Sequence, residues 1–221
     1  MAGLIDVADL PSPVRYLLEV MDRVAGELDP YSRWIGRRPD VEPGLEAIAL
    51  LPAEVVDDSF AAVRRVREWV APRFGEGDSF VVPGVDIVRL WDDTVGRKLS
   101  RPEAVKLAQA FERIGFGLEP DVRFGVSPLS AEGQVVVFRN DTSAEGTASA
   151  AYTAATTLLH LVAAVSAADG DLSEGEIEQM ATHVELSLHL LVGERVRLRA
   201  HLKWLATAEI RLAGLKKRLD A

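Results

Sequence analysis

Ser149–Met180, SAAYTAATTLLHLVAAVSAADGDLSEGEIEQM, decides how the chain is read: an apolar run, an acid-rich turn, then the start of a second amphipathic run. The stretch Ala148–Ala168 is rich in Ala and Thr and carries His160 in its middle. Its densest part, Leu158–Ala168, is too short for a bilayer, which takes ~20 apolar residues in a row. It reads as a buried core helix. Downstream, Ile177, Met180, Ala181, Val184, Leu188 and Leu191 mark one face of a helix. Gly193 separates them from a further run, Val196, Leu198, Leu202, Trp204 and Leu205, and Ile210–Leu219 forms a final short helix.

The same periodicity extends towards the N-terminus. Val14, Leu17, Leu18, Met21 and Val24 predict a helix over Ser12–Leu28, ended by Asp29-Pro30 because the residue before proline is biased away from helical geometry. The loop DPYSRWIGRRPD follows, with Trp34 as an anchor among Arg33, Arg37 and Arg38. A short helix near Leu45–Leu50 and another over Pro52–Val70 come next, and Phe74–Asp78 reads as a linker. SFVV is compatible with a strand, and Val85–Trp91 is assigned to helix. Ser100-Arg-Pro-Glu103 is a capping box that starts a helix over Pro102–Ile114, stopped at Gly115. QVVVF, before the turn-rich FRNDTSAEGT, is expected to pair with Val122–Val126 as one hairpin.

The expected fold is therefore mainly α: a helical bundle with at most one short β-hairpin. Three segments are expected, an N-terminal helical part (1–75), a linker with a helix and the hairpin (76–146), and a helical domain with the acidic loop (147–221). A length of 221 residues suits one or two domains, since single cores run to ~100–200. At 48% hydrophobic and 27% charged the chain is globular. Its formal net charge of −9 repels phosphate backbones, so no nucleic-acid partner is expected. With no cysteine there are no disulfides and no thiolate metal sites, which fits a cytoplasmic protein. The start MAGLIDVADLPSPVR shows no secretory pattern.

The acidic turn is the main candidate site. Asp169, Asp171, Glu174, Glu176 and Glu178 follow one another with no base among them. Ca²⁺ and Mg²⁺ need several oxygen ligands, about 6–8 for Ca²⁺ with waters counted. Gly170 allows the sharp reversal such a loop needs. Capping competes for part of this pattern: Ser173 and Glu176 fit a capping box, and acids in a first turn favour the positive end of the helix. Asp169 and Asp171 precede the cap and are left over. An EF-hand is excluded, because its glycine would fall on Glu174 and its bidentate glutamate on Met180.

AVSAADGDLSEGEIEQM resembles the acidic helix–loop–helix signature of the tellurite-resistance TerB family. GFGLEPDVRFG and QVVVFR, and DPYSRWIGRRPD with its following Leu-Pro, are similar to segments upstream of TerB-like domains in large multidomain bacterial proteins. The resemblance implies an all-helical fold and a divalent-cation site on Asp169, Asp171 and Glu176, with Glu174 beside them. It also implies a role in tellurite or stress response and protein partners, including peripheral association with membrane proteins. Small TerB proteins carry two such acidic turns, whereas one is found here, so a second half would have to come from elsewhere, such as Glu119 and Asp121. The alternative is a protein-interaction domain of a larger protein whose acidic loop is only a capped turn.

No enzymatic activity is expected. Walker, GxGxxG and GxSxG patterns are missing, and Glu119/Asp121 have nothing to place them in a cleft. His183 and His189 are six apart, on different faces of one helix, and His160 reads as a core histidine. His183 alone is kept as an outer partner of the acidic turn. Arg64, Arg65 and Arg67, and Arg195, Arg197, Arg199 and Lys203, read as solvated helical faces plus internal ion pairs with the many acids.

Overall fold

Gln134–Arg139 (β3) lies at the centre of the structure, which is a computed structural model describing residues 12–92, 99–140, 148–169 (163–169 in backbone only), 175, 179, 182–184 and 189–207. The β-branched run VVV with Phe138 is buried on both faces, the condition under which a strand reads as continuously apolar. β3 pairs antiparallel with Ser79–Pro83 (β1) on one side and Phe116–Glu119 (β2) on the other.

On one face Val135 and Val137 enter the larger core, with Phe80, Val82 and Leu118. That core is filled by the helices Leu45–Ile48 (α2), Ala61–Phe74 (α3), Gly84–Trp91 (α4) and Arg101–Ile114 (α5). Phe74 meets Phe80 edge-on at 4.8 Å and stacks on Phe116 at 5.7 Å, so the core is continuous across Gly75–Asp78. On the opposite face Val136 and Phe138 pack against Ala200 of the helix Val192–Thr207 (α7). Beyond it, Ala150–Asp169 (α6) supplies Tyr152, Ala155 and Leu159 to a second core with Leu198, Leu202 and Leu205. The order is helices, sheet, helices, and the molecule is mainly α as expected.

α5 starts as its sequence predicts. Ser100 Oγ accepts from the Glu103 amide, the Glu103 carboxylate accepts from the Ser100 amide, and Gly115 ends the helix in the left-handed region at φ 98°. No helix among the described residues is long and apolar enough to cross a membrane.

Three expectations are corrected. The N-terminal helix (α1, Ser12–Arg37) runs through Pro30. Proline removes one amide donor, a cost of ~3 kcal/mol in a helix interior. Here the exposed turn is spanned by an Asp29–Arg33 pair at 2.5 Å, and continuing the helix lets Leu28 and Tyr31 pack on the core. The helix expected over Pro52–Val70 is instead a 3₁₀ turn (Ala53–Val55) followed by α3, because Asp57 accepts from both the amide (2.9 Å) and hydroxyl (2.5 Å) of Ser59 and breaks the run. The β-structure is a three-stranded sheet, and β3 pairs with β1 and β2 in place of Val122–Val126. There Asp121 accepts from the Arg123 amide at 2.9 Å, which winds Val122–Phe124 into a 3₁₀ turn. The Ile210–Leu219 helix and most of FRNDTSAEGT lie outside the described residues.

Candidate functional site

α7 is apolar on one flank and polar on another, and both are buried. Glu194, Arg197, His201 and Trp204 recur at three- and four-residue steps, a single helical stripe. The stripe faces β2 and the turn after it, where a cis Glu119–Pro120 bond leads into Asp121.

Arg197 stands at the centre of this interface. Its Nη1 donates to Glu119 Oε1 (3.0 Å), Asp121 Oδ2 (3.3 Å) and the Leu118 carbonyl (3.2 Å), and its Nη2 to Glu112 Oε1 (2.7 Å). The guanidinium lies 4.0 Å from the Phe124 ring centre and 5.2 Å from that of Phe138. Arg123 closes the network, donating to Glu112 Oε2 at 2.7 Å and to Asp121 Oδ2 at 2.5 Å. Glu119, Asp121 and Arg197 are at most 2% exposed. Moving an ion into such surroundings costs several kcal/mol unless it is paired and hydrogen-bonded, and here each of these charges has an opposite charge within hydrogen-bond reach. Burial works against the charge of both arginines. For Arg123 the hydrogen bonds of Asp121 and Glu112, and for Arg197 the attraction of Glu119 and Asp121, outweigh it and hold each pKa above the ordinary value.

Glu119 has a second partner: His201 Nδ1 lies 3.0 Å from its Oε2. On the far side of the same ring, His201 Nε2 is 2.9 Å from His160 Nε2 on α6. Trp204 flanks the pair, its ring centre 5.4 Å from His201 and 6.3 Å from His160, and its Nε1 donates to the Gln134 carbonyl. Glu194 ties the starts of the two helices together, accepting from the Ser149 amide (2.9 Å) and the Leu191 amide (3.1 Å). Tyr152, fully buried and edge-on to Phe124 at 5.4 Å, has a hydroxyl without a hydrogen-bond partner among the described residues. Burial, and after it the charge of Glu119, push that hydroxyl well above its ordinary pKa, so it stays protonated.

Of the acids of the predicted cation site, Asp169 is the last residue of α6, with only its backbone described; Asp171, Glu174, Glu176 and Glu178 lie outside the described residues. Among the described residues no three His, Asp or Glu side chains converge as a metal cage. The oxygens of Glu119 are engaged by Arg197 and His201 and those of Asp121 by Arg123 and Arg197, so neither carboxylate stands open to a cation. His183 is exposed. Sequence reasoning missed Arg197, read as part of a solvated face, and the pairing of His160 with His201, which joins two helices and has no local spacing. The signal that was present is the stripe Glu194–Arg197–His201–Trp204, which lies between two apolar flanks, Gly193 and Ala200 on one side and Leu198, Leu202 and Leu205 on the other; Glu194, Arg197 and His201 are buried with them.

No family model, curated protein or solved structure matches this chain.

Proposed function

We propose that this chain is a helical interaction module of TerB-like type, which docks a partner protein's helix on α1. One observation carries this reading. Val14, Leu17, Met21, Val24, Leu28, Tyr31 and Ile35 follow alternating three- and four-residue steps, the spacing of a coiled-coil seam. Only Leu28 and Tyr31 of this seam pack on the core. Leu17 and Met21 are 57% and 56% exposed, and α1 contains no buried residue at all. A three-turn apolar stripe left in water is the mark of a surface awaiting a partner. A Leu17→Glu/Met21→Glu variant tests it: the isolated protein should keep its thermal midpoint and lose the partner captured in cells by a photo-crosslinker at position 18. An unchanged crosslink, or a fall in the midpoint, defeats the proposal.

A second reading, cation binding at the acidic turn, is favoured by the end of α6. The helix terminates at Asp169, and backbone at Gly175 and Gln179 is helical again. The carbonyl-bearing end of a helix attracts positive charge, which the following acids would reinforce. The ion would be Ca²⁺ or Mg²⁺, held by Asp169, Asp171 and Glu176 with Glu174 and Glu178 nearby. Calorimetric titration should give heat with wild type and none with Asp169→Asn/Asp171→Asn; no heat from wild type at millimolar ion ends this reading.

A further inference from the structure

We infer that His160 and His201 form a binding site for a borderline transition-metal ion, Zn²⁺, Ni²⁺ or Cu²⁺, bridging α6 and α7. The argument starts at Glu119. Its Oε1 accepts from the Arg197 guanidinium at 3.0 Å, which sets the carboxylate as a hydrogen-bond acceptor. The contact of its Oε2 with His201 Nδ1 at 3.0 Å therefore places the ring proton on Nδ1. In the neutral ring that leaves a lone pair on Nε2, the atom facing His160. A histidine whose far nitrogen donates to a buried carboxylate is the arrangement that orients metal-ligating imidazoles and raises their basicity.

The second ligand faces the first. His160 Nε2 comes from a different helix, 41 residues earlier, and meets His201 Nε2 at 2.9 Å, donating its proton to that lone pair; a bound ion takes the place of that proton, which passes to His160 Nδ1 or to solvent. An ion with bonds of ~2.0–2.1 Å in tetrahedral geometry needs its two nitrogens about 3.3 Å apart. The pair thus needs to open by only a few tenths of an ångström, within reach of a small side-chain rotation. His201 is buried, fixed by Glu119 and flanked by Trp204, whereas His160 is half-buried and gives the pair access to solvent.

Ligand chemistry sets the class of ion. Two imidazoles suit Zn²⁺, Ni²⁺ and Cu²⁺ and are poor ligands for Ca²⁺ and Mg²⁺. The acidic turn has the opposite preference, so this site is independent of the cation reading above. With two protein ligands, the other positions on the ion are left to water or to an incoming donor. The charges nearest the pair, Glu119 with Arg197 and, behind them, Glu112, Asp121 and Arg123, neutralise one another except for one carboxylate's excess, which favours a cation nearby.

The test uses the whole chain, titrated with ZnCl₂, NiCl₂ or CuCl₂, with CaCl₂ as the hard-ion control. At a hundredfold excess over Kd, a saturated ion should raise the melting temperature by about 5–10 °C. Cu²⁺ or Ni²⁺ should also quench Trp204, read as the difference between wild type and Trp204→Phe. His160→Gln removes a half-buried ligand without touching Glu119 or Arg197, and should keep the fold and abolish both responses. Asp169→Asn/Asp171→Asn should retain them. No response of wild type to any of the three ions overturns the proposal. So does a response that survives in His160→Gln, or one lost in the aspartate variant.

Discussion

Replacing Arg197 with Met tests whether the ionic network holds α7 onto the sheet. Methionine keeps an unbranched stem able to lie against Phe124 and Phe138 and removes the donors to Glu119, Asp121, Glu112 and the Leu118 carbonyl. Asp121 and Glu112 still have Arg123, whereas Glu119 loses Arg197 and, among the described residues, keeps His201. Three carboxylates would then face one guanidinium instead of two. Breaking a buried pair by removing one partner costs about 3–5 kcal/mol, a large part of the 5–15 kcal/mol typical of a folded domain. Urea unfolding should show that loss as a lower midpoint at unchanged slope. Arg197→Lys should recover only part of it, because an ammonium cannot span three carboxylates as the planar fork does. In a double-mutant cycle, Glu119→Gln should cost less by about 0.5–3 kcal/mol when Arg197 is already Met. If Arg197→Met costs under about 1 kcal/mol, the level of an exposed ion pair, the network is not the buried clamp described above.

Other outcomes follow from the same geometry. Tyr152→Phe deletes a buried hydroxyl that has no partner among the described residues, a group whose burial costs about 1–3 kcal/mol, so equilibrium unfolding should show equal or higher stability; a loss beyond about 1 kcal/mol refutes this. The same variant should be less sensitive to alkali, because the unfolded tyrosine releases its proton near pH 10.0 while the folded one holds it, which draws wild type towards unfolding as pH rises past that value. For Glu46 burial opposes ionisation, but hydrogen bonds from Lys106 (2.6 Å) and Arg38 (2.8 Å) outweigh it and hold its pKa below 4.5. The folded state then binds fewer protons than the unfolded, so this contribution is present above pH 4.5 and lost as pH falls through the lower folded value. Glu46→Gln should flatten the acid limb of the stability profile, and an identical limb would contradict the assignment. Gly117→Ala would place a Cβ 2.1 Å from the Phe138 ring, its partner across β2 and β3, and should cost about 1–3 kcal/mol in urea unfolding.

Several local signals in the sequence are found in the structure, although the turns at Asp57–Ser59 and Asp121–Arg123, equally local, were not read. The Ser100–Glu103 box, the stop at Gly115, the helix at Val85–Trp91 and the apolar α6 all depend on residues within a turn of one another, and all are found. The pairing of β3 was not legible in the same way. Phe116–Glu119 is four residues with a glycine, too short to show alternation, and its place beside β3 depends on Phe138 covering Gly117. Pro30 misled because an exposed helix tolerates a missing hydrogen bond that a buried one would not. Arg197 misled more seriously: its partners lie 76 to 85 residues upstream, and no window along the chain contains both.

That separation also shapes how the protein is made. Ribosomes add ~5–20 residues per second, so Glu112, Glu119 and Asp121 emerge several seconds ahead of the guanidinium that completes their set. A sheet that closed in that interval would have its helices on one side and Val136 and Phe138 bare on the other. Such a form would carry an uncovered greasy face beside an excess of negative charge, and mutual repulsion between such chains would discourage them from clumping until α7 arrives.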